Sequence, residues 1–205
     1  MLLKMNSQHP SGKQIGRIVE TLKNGELIIY PTDTVYSVGC DLNNKQAIQR
    51  LAELVGKETN RNLSLIFHDF SQIAHYTLPI DKTVFKTMKK SFPGPYTFIL
   101  RANNQVPKVF GEKKEEIGIR MPNNKIPRAI VEQLGNPMVT ASIHDEDEII
   151  QYPTDPNDIH ERFKKDVAIV VDGGNGDNNA STVLSCLNGE MKVLREGKGD
   201  LAALE

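Results

Sequence analysis

Apolar residues recur along the chain in two rhythms, short unbroken runs and helix-spaced stripes, and their alternation predicts an α/β domain. Ile15, Ile18, Val19 and Leu22 repeat at helical spacing within 14–22, and Asn24-Gly25 stops the stripe. Leu27, Ile28 and Ile29 follow as an apolar run that ends before Pro31, which predicts a buried strand. Ala47, Ile48, Leu51 and Leu54 predict a second helix over 44–54, capped by Asn43 or Asn44 and stopped near Gly56. The same reading places strands at 63–67, 97–101, 117–120, 138–142, 167–171, 181–184 and from 193. The unbroken run at 167–171 has the character of a central strand covered on both faces. Further helices are predicted at 71–76, 81–90, 126–134 and 155–164, the last capped by Asp155 with Pro156 in its first turn. Segment 103–116 reads as a polar loop with one short turn, and 143–156 as an acidic surface segment or lid.

Composition narrows this to an ordinary globular chain. With 205 residues, 39% hydrophobic and 25% charged, one domain over 1–205 with a core at about 11–200 is expected. A formal net charge of -1 argues against a globally basic nucleic-acid binder and leaves RNA binding open only through a local basic face. Cys40 and Cys186 stand far apart with no CxxC, so neither a zinc site nor a disulfide framework is expected, and Cys40 reads as a small buried hydrophobe. The first residues hold too short an apolar run for a signal peptide and nothing approaches a membrane span, so the cytoplasm is the expected location.

Candidate chemistry collects where strands end. Pro31 lacks a ladder donor and pushes Tyr30 toward extended geometry, so Thr32, Asp33, Thr34 and Tyr36 are presented at a strand terminus, where open α/β sheets bind ligands. The alternative is a Thr/Asp turn over a buried tyrosine. Lys57 and Arg61 precede a strand that ends at His68, a combination suited to phosphate or carboxylate groups or else a solvated loop with a surface histidine. Arg120 ends an apolar run, either as a two-donor fork for an anion or as one half of a structural ion pair. Thr140 and Ser142 finish another strand, and Arg195 a later one. The glycines in 172–177 match neither the P-loop nor the dinucleotide fingerprint, and residues 113–116 read as a solvated face. Pro93-Gly94-Pro95 sets a rigid turn.

Taken in order, PTDTVYSVG at 31–39, LSLIFH at 63–68, PGPYT at 93–97, IGIRMP at 117–122, MVTAS at 138–142, STV at 181–183 and LREG at 194–197 resemble the YrdC/Sua5/YciO family. The stretches ETNRNLSLIFHD, PGPYTFIL and EDEIIQYPTDP are most similar to its YciO branch. The resemblance implies a single three-layer α/β domain with a twisted mixed sheet and a concave ligand cavity. It also implies chemistry in which L-threonine, bicarbonate or CO2 and ATP yield threonylcarbamoyl-adenylate and pyrophosphate, the product serving t6A modification of tRNA. Such a site orients two substrates and neutralises phosphate charge, so it calls for hydroxyls and cations more than for a covalent nucleophile. ATP with Mg2+ would be a substrate, and neither a tightly bound cofactor nor a resident metal is expected.

By the same resemblance, Thr34, His68, Arg120, Thr140 and Ser181 would contact threonine, and Lys57, Ser142 and Arg195 the nucleotide, with Arg61 as an auxiliary cation. Two departures bear on activity. Synthases of the family carry Lys-x-Arg where this chain has Val55-Gly56-Lys57, and Ser-x-Asn where it has Ser142-Ile143-His144. A weak synthase or a hydrolase of the adenylate is therefore expected. The alternative is a non-catalytic protein that binds double-stranded RNA or ribosomal particles on the concave surface.

Overall fold

Strands from both ends of the chain meet in one twisted sheet in a computed structural model that describes residues 1–60, 63–110, 114–144 and 152–204. The strands are β1 (Leu2–Lys4), β2 (Ile28–Tyr30), β3 (Ser37–Asp41), β4 (Ser64–Ile66), β5 (Tyr96–Arg101), β6 (Glu116–Arg120), β7 (Met138–Ser142), β8 (Ile169–Asp172), β9 (Thr182–Ser185) and β10 (Lys192–Arg195). Their order in the sheet is β1-β8-β2-β3-β7-β4-β6-β5-β9-β10, with parallel and antiparallel pairs mixed. The helices are α1 (Gly12–Lys23), α2 (Lys45–Asn60), α3 (Lys82–Ser91), α4 (Gln105–Phe110), α5 (Lys125–Leu134) and α6 (Pro156–Phe163).

The helix-spaced stripes bury the predicted residues. Ile15, Ile18, Val19 and Leu22 of α1 pack with Ile126, Ile130 and Val131 of α5 over one sheet face, meeting Ile28, Tyr30, Ile169 and Val171. Ala47, Ile48 and Leu51 of α2, Val84 and Met88 of α3 and Ile159 of α6 pack against the other face. Helices on both faces make three layers, and β8 alternates between them, with Val170 opposite to Ile169 and Val171. Asp155 caps α6 as expected, accepting the Asn157 N–H at 2.8 Å, and Asp81 and Asn124 do the same for α3 and α5. Gly135 ends α5 at φ 83°, which a side chain would resist.

Four elements differ from the sequence reading. Leu2–Lys4, for which no element is predicted, is a strand, because it pairs in parallel with Val170, Val171 and Asp172 from the far end of the chain. Ser37–Asp41, likewise given no predicted element, is a strand between β2 and β7, its alternation masked by small residues. Within the segment read as a loop, Gln105–Phe110 is helical, while 71–76 narrows to one 3-10 turn at Ile73–His75. The acidic stretch 145–151, expected as a surface segment or lid, lies outside the described residues. No helix among the described residues is long and apolar enough to cross a membrane.

Candidate functional site

The turn after β2 is pinned from four sides. Thr32 Oγ1 accepts the Thr34 N–H at 3.0 Å and donates to the Val35 carbonyl at 2.7 Å, which closes a tight hydroxyl turn. Asp33 accepts from the Asn123 N–H at 2.9 Å and faces Arg120 Nη2 at 3.4 Å, while Lys198 Nζ donates to the Asp33 carbonyl at 2.7 Å. Arg120 Nη2 also donates to Thr34 Oγ1 at 3.0 Å. Arg120 is 4% exposed; burial pushes its pKa down from the ordinary arginine value and the Asp33 carboxylate opposes that. Its Nε finds no partner among the described residues. The two readings of Arg120 therefore coexist, a buried ion pair whose guanidinium still has a donor to give.

Arg120 lines a cavity of about 470 Å³ over the part of the sheet that α1 and α5 leave uncovered. The register explains its character. Cys40, Val139, Leu65, Ile119, Phe98 and Leu184 form one row across six strands, buried against the helices of the opposite face. The adjacent row, Gly39, Thr140, Ser64, Gly118 and Ile99, faces the other way and is almost free of bulk. Small residues at consecutive strands thus carve the concavity out of the sheet itself. A Cβ at Gly118 would stand 2.3 Å from Ser64 Oγ, so the bare backbone there keeps the floor open.

Hydroxyls on this floor are mutually oriented. Thr140 Oγ1 donates to the Val38 carbonyl at 3.1 Å, so at 2.5 Å it accepts from Tyr30 OH, whose pKa burial pushes up. Thr97 and Ser181 hydroxyls lie 2.8 Å apart. Arg195 Nε and Nη2 donate to the Ser181 carbonyl at 3.1 and 2.9 Å, and a register shift between Val193 and Arg195 turns the edge strand at this point. An arginine from β6 and another from β10 thus line one cavity with hydroxyls between them.

Of the residues anticipated from sequence, Arg120, Thr140, Ser142, Ser181 and Arg195 line this one cavity. Thr34 reaches it through Arg120 without lining it. His68 is not among the lining residues: it follows Phe67, whose N–H donates to the Arg120 carbonyl, but its Nε2 pairs with Asp69 at 2.7 Å. Arg61 lies outside the described residues, as does the side chain of Lys57. Val55, where a first cation was expected, packs against the apolar core, and Gly56 at φ 78° breaks the helix after it.

Other lining residues went unread. Lys114 and Glu116, expected on a solvated face, are part of the wall. Ser37 and Ser64 join the floor, their signal being a serine at a cavity-facing position of a strand. His144 lines the cavity beside Tyr152, 4.8 Å between ring centres. Desolvation and then the Arg195 charge pull its pKa below the ordinary histidine value, so the ring is neutral at pH 7. The 172–177 glycines do not line the cavity: Tyr36 OH donates to the Gly174 carbonyl at 2.7 Å and Gly176 lies against the Tyr36 ring. Cys40 lies on the core side, where burial pushes its thiol pKa up.

A three-layer α/β fold whose single mixed sheet carries this cavity defines a class, and the chain belongs to the Sua5/YciO/YrdC family, whose profile, described as Telomere recombination, matches residues 20–197. It is 33% identical over 199 residues to the uncharacterized protein YciO of Escherichia coli K12, covering 96% of this chain and 95% of that one. The crystal structure of E. coli YciO superposes with a TM-score of 0.89 at 31% identity, covering 100% of this chain and 99% of that one. A threonylcarbamoyl-AMP synthase of Enterobacter sp. strain 638 is 32% identical over 143 residues, 67% of this chain and 73% of that one. The P. abyssi Sua5 structure complexed with L-threonine shares the fold, with a TM-score of 0.83 at 24% identity over 96% of this chain and 57% of that one. The family therefore ties the chain to relatives that synthesise threonylcarbamoyl-AMP.

Proposed function

We propose that the cavity takes threonylcarbamoyl-adenylate, its amino-acid end at Arg120 and its nucleotide end at Arg195, and that the protein hydrolyses this adenylate faster than it makes it. The observation that carries the reading is the pair of arginines from β6 and β10 lining one cavity whose floor is hydroxyl-bearing. About 470 Å³ suits one small molecule, and the ligand has anionic groups at two separated points. Arg120 offers its unspent Nε to a carboxylate, and Arg195, already held by the Ser181 carbonyl, offers its remaining Nη1 to a phosphate. L-threonine bound to a protein of the same fold, and synthases among the relatives, support the choice of ligand.

The direction follows from charge. Synthesis gathers Mg·ATP, bicarbonate and threonine, and its phosphates call for several cations. Here Val55 is committed to the core and His144 is held neutral. A neutral imidazole facing the cavity accepts a proton from water, which suits hydrolysis of the acyl phosphate to AMP and the N-carboxy amino acid. The assay supplies threonine, bicarbonate and Mg·ATP in one arm and the adenylate in the other. AMP release from the adenylate should outpace pyrophosphate release from ATP. Pyrophosphate release equal to that of a synthase retaining both motifs would refute the reading. Should neither arm turn over while RNA binds with a steep salt dependence, the concave surface is an RNA site instead.

Arg195→Ala is expected to weaken AMP binding by about 1–3 kcal/mol, the worth of a charged hydrogen bond at a partly exposed site. The fold should persist, because Arg195 is exposed on the edge strand β10. Calorimetry with AMP checks this, and unchanged affinity removes Arg195 from the nucleotide end.

A further inference from the structure

One floor residue has no hydrogen-bond partner among the described residues. Ser37 is 1% exposed, and its Oγ makes no hydrogen bond among the described residues although it lines the cavity. A buried hydroxyl in that condition forfeits the hydrogen bonds it made to water in the unfolded chain, a cost that no described residue offsets. Of the neighbouring floor hydroxyls, Thr140 is committed to Tyr30 and Val38, and Thr97 to Ser181. Ser37 stands apart from that pattern.

Its place is well determined. β3 runs antiparallel to β7 with Ser37 opposite Ser142 and Gly39 opposite Thr140, and the Ile143 N–H donates to the Tyr36 carbonyl at 3.2 Å to lock this end of the ladder. On its other side Ser37 pairs with Tyr30, the donor to Thr140. Ser37 therefore shares a sheet face with Thr140 and Ser142, which the family resemblance assigns to threonine and to the nucleotide.

We infer that Ser37 is a ligand-contacting residue that donates its hydroxyl proton to an oxygen of the acyl-phosphate linkage, recognising the joined adenylate over either of its halves. This rests on the adenylate reading above. The donation satisfies the orphaned hydroxyl only when the ligand is present, so the contact discriminates between the intact compound and its fragments. Gly39, two residues along the same strand, carries no side chain to cover the spot.

The test is Ser37→Ala, with binding measured by calorimetry and stability by thermal melting. The probes are L-threonine, AMP and a stable acyl-sulfamate analogue of threonylcarbamoyl-adenylate. Removing a hydroxyl that has no partner among the described residues should leave the melting temperature of the free protein equal to wild type or higher, which a structural serine would not do. Affinity for the analogue should fall about tenfold or more, while affinity for L-threonine stays within about twofold. Ser37→Thr, which keeps a hydroxyl, should retain more of the analogue affinity than Ser37→Ala. Equal analogue affinity in wild type and Ser37→Ala overturns the inference, as does a lowered melting temperature with unchanged binding or an equal loss for L-threonine alone. If the wild-type protein binds none of the three probes, the adenylate reading itself fails, an outcome distinct from a failure of Ser37.

Discussion

Arg120→Ala is expected to cost about 3–5 kcal/mol of stability and to abolish measurable affinity for L-threonine and the adenylate analogue. The guanidinium is 4% exposed and faces Asp33, which is itself largely buried, so its removal leaves a carboxylate without its countercharge. That loss is a large share of the roughly 5–15 kcal/mol that holds a domain together. Arg120→Lys is the more informative variant, because it keeps the charge while losing the fork that places Nη2 on both Asp33 and Thr34. Melting temperature and threonine affinity should then fall together, the affinity by more than about tenfold. A lower melting temperature with affinity within twofold of wild type would reduce Arg120 to a structural ion pair and remove the threonine end from the cavity. A double-mutant cycle with Asp33→Asn separates the pair energy from the ligand contact, since only the first is shared.

Gly118→Val should close the cavity. A Cβ at this position stands 2.3 Å from Ser64 Oγ and 3.3 Å from Thr97 Cγ2, so the added side chain must push into the space above β6 where the ligand is placed. The backbone tolerates the change, because valine suits a strand and Gly118 is not among the glycines with positive φ. Overpacking is expected to lower stability by about 1–3 kcal/mol. Affinity for the analogue should drop by about a hundredfold or more, the loss expected when a bound molecule and a side chain claim one volume. Circular dichroism establishes that the variant is folded and calorimetry reads the binding. A folded Gly118→Val with wild-type affinity would mean that the ligand lies elsewhere than over β6.

Much of the fold was legible because its rules are local. Helical spacing in α1 and α2 and the apolar runs of β7 and β8 need only a neighbour three, four or two residues away to be recognised. The Asp155-Pro156 start of α6 is likewise a matter between adjacent residues. Elements that depend on a distant partner were not legible: three residues of β1 become a strand only because β8 offers its edge. β3 was hidden because Ser37, Gly39 and Cys40 carry no strong apolar alternation, although both neighbouring strands hold it in register.

The site divides along the same line. The sequence by itself determined which residue types stand at strand ends, and with them the Thr32-Asp33-Thr34 turn, Arg120, Ser142 and Arg195 as candidates, while Ser181 entered through the family resemblance. Tertiary structure alone decided that Arg120 is both ion-paired and available, because Asp33 lies 87 residues away in the chain and 3.4 Å away in space. It alone brought Lys114, Glu116 and His144 into the wall, left His68 paired with Asp69, and turned Val55 into the core. The physical reason is that a cavity is made by the row of residues that runs across strands. Gly39, Thr140, Ser64, Gly118 and Ile99 become one surface only through hydrogen-bonded register, which no single stretch of the chain contains.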